Sequence, residues 1–70
     1  MQMTGVVSEN VRAVGYDAVS RTLRVEFRSG GTYDYFNVDE SLYRQLLHPH
    51  PWHRVGPLVR RHRNVKIRSA

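Results

Sequence analysis

Apolar positions alternate strictly in one segment of the chain and change period after it. In residues 22–28, Leu23, Val25 and Phe27 fall on one face, with Arg24, Glu26 and Arg28 on the other. A period of two is the pattern of a half-buried strand. Upstream, Val11, Val14 and Tyr16 mark a first strand over 10–16. Their 3-then-2 spacing breaks alternation, and Gly15 is the candidate bulge. Asp17-Ala18-Val19-Ser20 supplies the intervening turn. Ser29-Gly30-Gly31 permits the positive φ angles of a tight hairpin. The aromatic run Thr32-Tyr33-Asp34-Tyr35-Phe36 then makes a third strand over 32–37.

Beyond Asn37 the period becomes helical. Leu42, Tyr43, Leu46 and Leu47 recur at the spacing of one helix face, predicting a helix over 39–48 packed through its leucines. Asn37 with Glu40 resembles a capping box, and Asp39 is a rival cap. Pro49 forces the helix to end before it, so His48-Pro49-His50-Pro51 reads as a stiff connector. Residues 52–63 form a second helical segment, with Trp52, Val55, Leu58 and Val59 inward. Gly56-Pro57 divides that segment, and Pro57 suits the first position of a fresh helix. Residues 1–9 read as a frayed terminus, and 64–70 as a short strand or tail. The expected fold is α+β: a three-stranded antiparallel meander, then two short helices packed on one face.

Seventy residues make a single domain over 1–70 with one thin core. There is no Cys, no basic n-region leading an apolar run, and no stretch long enough to span a membrane. A cytoplasmic protein is expected. Charge changes the picture more than length does. Residues 1–40 carry all six acids against four arginines, a net of −2, whereas 41–70 carry seven cations and no acid. All four histidines also lie in that second half. Ten of the eleven cations are Arg, the residue suited to bidentate phosphate contact and to stacking on bases.

The ordered set Val11-x-x-Val14-x-Tyr16-Asp17, Leu23-x-Val25-x-Phe27-x-x-Gly30, Tyr33-x-Tyr35-x-x-Val38 and Tyr43-x-x-Leu46-Leu47 resembles the KTSC domain. That module is named for its place at the C-terminus of some lysyl-tRNA synthetases, and it also occurs as a stand-alone bacterial or phage protein. The resemblance covers residues 8–60, with Tyr-x-Tyr as its most typical feature. It departs downstream, where the family has a Ser/Gly-rich connector and an aromatic pair opening its last helix. The resemblance implies the fold, and its synthetase context suggests RNA.

Each candidate site has a plainer alternative. Tyr33 and Tyr35 share a face, and form either a stacking platform for bases or part of the core. Two prolines interleave His48-x-His50-x-x-His53, and no Cys or nearby carboxylate completes a tetrahedral set. No metal or other cofactor is expected. Trp52 reads as the largest core anchor. Arg60-Arg61-His62-Arg63 cannot all face a core, so these side chains meet water or a ligand. No nucleophile–base pair, phosphate loop or acid pair stands out, so the chain is expected to bind and not to catalyse. The leading expectation is nucleic acid, with RNA or a single strand favoured. Arg54, Arg60, Arg61, Arg63, Lys66 and Arg68 would touch phosphate, and Tyr33 or Tyr35 would stack. The rival is a protein-interaction module docking an acidic partner. A third reading, 42–63 as a helix-turn-helix on duplex DNA, requires a longer and stiffer connector than that motif's usual turn.

Overall fold

Alternation in the Leu23 strand gives the sheet one dry face, on which Leu23 and Val25 are fully buried. The computed structural model describes residues 1–50 and 52–69. Five antiparallel strands lie side by side in chain order: β1 (Thr4–Gly5), β2 (Val11–Asp17), β3 (Thr22–Phe27), β4 (Thr32–Tyr35) and β5 (Asn64–Arg68). Two helices, α1 (Glu40–Leu46) and α2 (Trp52–Arg60), come between β4 and β5. The core joins Val11, Val14, Leu23, Val25 and Tyr35 of the sheet to Leu42, Leu46, Trp52, Val55 and Val59 of the helices.

The α+β class holds, but the sheet has five strands and not three. Both added strands are edges: β5 takes the strand option of residues 64–70, whereas no strand was expected at β1. β5 is exposed along its whole length and is held by backbone pairing to β4. β1 pairs Thr4 with Val14 and Gly5 with Ala13. Residues 1–9 are therefore not frayed: Val6 enters the core, and Val7 accepts the His50 N–H. The Ser8 hydroxyl accepts the N–H groups of Asn10 and Val11, while its carbonyl accepts Arg28 Nε at 2.8 Å.

The irregular spacing in β2 is a bulge, placed at Arg12 and not at Gly15. The register steps from Val11↔Phe27 to Ala13↔Glu26, leaving Arg12 unpaired between them. An extra residue there lets Val11 and Val14 share the dry face three positions apart. Gly15 answers a different demand. A Cβ there would stand 2.7 Å from Met3 Sδ and 2.9 Å from the Gln2 carbonyl, because residues 1–3 cross over it.

Gly30 has a φ of 113°, as the β3–β4 hairpin requires. Asp39 is the N-cap residue of α1 by backbone conformation, and its carboxylate accepts the Ser41 hydroxyl at 2.7 Å. Asn37 lies outside the helix with a φ of 57°. Leu47 ends α1 and faces water, so Leu42 and Leu46 alone carry the expected packing. α2 is one helix that runs through Pro57, and Leu58 faces out while Val59 is fully buried. Pro57 removes one helical donor, the partner of the exposed His53 carbonyl one turn back, which water can satisfy. Burial of Val55, Gly56 and Val59 outweighs that loss. Pro51 of the expected connector and Ala70 of the expected tail lie outside the described residues.

Candidate nucleic-acid interface

The helix-side face of the sheet ends in a band of rings flanked by cations. Trp52 is buried at the start of α2, and its ring meets Phe27 edge-on at 5.2 Å. Phe27 meets Tyr33 edge-on at 5.8 Å, and Tyr33 tilts against Tyr35 at 6.3 Å. Arg60 holds its guanidinium carbon 5.5 Å from the centre of the Trp52 ring. Lys66, opposite Tyr33 in the β4–β5 register, holds Nζ 5.8 Å from that ring. Contacts of this kind hold a long cationic side chain in place while its charged head stays accessible. Gly31 leaves room beside them, since a Cβ there would come 3.2 Å from Tyr33 Cε1 and 3.5 Å from Lys66 Cε.

Tyr35 belongs to the core at 5% exposure, and Tyr33 packs half-buried against it. The alternative left open for this pair is thus answered for Tyr35, which offers no face to a base. Burial pushes its hydroxyl above the usual phenol range; neighbouring Tyr33 adds to this, and Arg60 opposes it. Trp52 is the core anchor its composition suggested. Its contact with Arg60 was not foreseen, because eight residues along a helix exceed the three- or four-residue spacing at which side chains ordinarily meet.

Arg54, Arg60, Arg61 and Arg63 are all exposed, on α2 and the turn after it. Arg68 does not join them. The β4–β5 register pairs Tyr33 with Lys66 but Thr32 with Arg68, a bulge that inserts Ile67. The inserted residue re-aims Arg68 away from the helices. It lines a shallow cleft of about 200 Å³ on the opposite face with Met3, Arg24, Glu26, Thr32 and Ile67.

Three of the six acids pair with arginines elsewhere in the fold. Asp34 takes Arg24 in a two-pronged pair at 2.7 and 3.0 Å, Glu40 takes Arg44, and Asp39 takes Arg21. Among the described residues, no salt bridge engages a cation beyond Arg44. His48, His50 and His53 are exposed, and among the described residues no three His, Cys, Asp or Glu side chains group to hold a metal. No helix among them is long and apolar enough to cross a membrane.

No curated protein matches the sequence. Among solved structures, the crystal structure of a KTSC domain protein from Yersinia pestis is similar, with a TM-score of 0.85 and 26% identity. The likeness covers 94% of this chain and 96% of that one. The KTSC domain family itself matches residues 7–50, from the loop before β2 into the connector after α1. The order of strands and helix that the Tyr-x-Tyr pattern marks is thus shared with known relatives, and the chain belongs to the KTSC domain family.

Proposed function

We propose that this chain is a cytoplasmic nucleic-acid-binding module and not an enzyme, with RNA or another single strand as its ligand. The observation that carries the reading is the unpaired basic surface of α2, the turn after it and β5. Arg54, Arg60, Arg61, Arg63 and Lys66 have no carboxylate partner among the described residues, and rings brace two of them. Cations braced and unneutralised in this way suit a polyanion, which releases condensed counterions when they bind.

The test is binding to labelled RNA, single-stranded DNA and duplex DNA across a salt series. Four or five phosphate contacts to a single strand give a slope of log K against log salt of about −3. Changing Arg60 and Arg61 together to Ala should weaken binding to every sequence alike and reduce that slope by about 1.4. An acidic protein partner is the rival outcome. It predicts negligible binding to any nucleic acid near ~150 mM salt, where exposed charges are strongly screened.

A further inference from the structure

The protein has seven aromatic side chains, and six are committed to the interior. Tyr16 stacks on Tyr43, while Phe27, Tyr33, Tyr35 and Trp52 form the ring cluster, all within or against the core. Among the described residues Phe36 joins no ring pair and does not pack on the core cluster. Its place is nevertheless fixed. Its N–H donates to the Arg63 carbonyl at 2.8 Å, and its own carbonyl lies 3.0 Å from His62 Nδ1. One step beyond the Tyr35↔Asn64 pair, this sets Phe36 opposite Arg63. Since Tyr35 faces the helices, alternation turns Phe36 the other way. Asn37, with its φ of 57°, then bends the chain away.

The partner turn is fixed as well. Arg61 N–H donates to the Leu58 carbonyl, and His62 N–H to that of Val59. A partly exposed ring is therefore clamped by its backbone to the most basic run of the chain. We infer that Phe36 stacks a base beside the Arg61–Arg63 turn, on the sheet face away from the helices, and that the ligand is a single strand with unstacked bases. This rests on the nucleic-acid reading above. The π-face of a ring accepts any base, whereas bases within a duplex are already stacked and offer none.

The test compares a short fluorescein-labelled oligouridine with an RNA duplex of equal length, by anisotropy at low salt. Phe36→Leu keeps an apolar side chain but removes the ring; it should weaken oligouridine binding roughly 5- to 150-fold and leave duplex binding nearly unchanged. Phe36→Tyr should keep affinity near wild type. A readout independent of variant folding is the wild-type Phe36 ring proton signal, which should move upfield as oligouridine is added. Equal oligouridine binding by wild type and Phe36→Leu, a preference for duplex, or unmoved Phe36 ring signals would each overturn the stacking role while phosphate contact stood. Wild type binding neither ligand would remove both readings.

Discussion

Gly56 sets two ordinary effects against each other. In a helix, Gly→Ala normally stabilises by about 1 kcal/mol. Here a Cβ would stand 2.9 Å from Trp52 Cδ2 and Cε2, atoms of a rigid, buried ring. Overpacking of that kind costs about 1–3 kcal/mol, so Gly56→Ala should destabilise the protein on balance. Urea unfolding followed by Trp52 fluorescence measures the sign directly, and a higher midpoint would show that the ring yields freely. Leu46 provides the opposite case. It is fully buried between α1 and the sheet, and Leu46→Ala should cost about 2–5 kcal/mol, enough to leave a domain of this size largely unfolded by circular dichroism.

Elements depend on groups that a single side chain supplies. Pro57 in the middle of α2 has no N–H to give and is exposed. Pro57→Ala restores one helical hydrogen bond and should raise the melting temperature, the gain bounded by the helix preference of about 3 kcal/mol. A lower melting temperature would mean that the proline's restriction of the unfolded chain contributes more. The two polar turns respond to acid. The Val19 N–H lowers the Asp17 carboxyl below its ordinary value, and the Ser41 hydroxyl does the same for Asp39. Both groups hold fewer protons folded than unfolded, so they stabilise above the ordinary value of 3.8. That contribution is lost as pH falls through the depressed folded values. The double variant Asp17→Asn and Asp39→Asn should flatten the acid limb of a stability–pH profile. An unchanged limb would assign it to other carboxylates.

Across the whole molecule, 28 × 25 × 23 Å in extent, the two halves of the charge distribution do different work. Three of the four arginines in the first half are tied into the fold. Arg24 is paired with Asp34, Arg21 with Asp39, and Arg28 holds the Ser8 carbonyl. Those of α2, the turn and Lys66 are free of such ties among the described residues. Arg28→Ala should therefore leave nucleic-acid affinity within about twofold, since exposed charge changes of this kind are worth well under 1 kcal/mol. It should instead speed hydrogen exchange at residues 4–8, which the Arg28–Ser8 bond helps to hold. A large loss of affinity would move the interface onto the N-terminal side of the sheet.

Wherever a physical preference repeats along the chain, the sequence alone determined the outcome. Leu23, Val25 and Phe27 marked β3, Gly30 its hairpin, Leu42 and Leu46 the buried face of α1, and the lone Trp the core anchor. The split of charge and the identity of the basic residues were equally plain, as was the KTSC resemblance. What did not repeat was decided by tertiary structure. β1 and β5 are held by backbone hydrogen bonds at sheet edges, and backbone groups are the same in every residue. The bulges at Arg12 and Ile67 come from register between strands, and the second sends Arg68 to the face opposite Lys66. Pro57 stays within α2 because burial on either side outweighs a local preference. Alternation after Tyr35 already turns Phe36 away from the other rings, but its place beside the Arg63 turn came only from the pairing of β4 with β5.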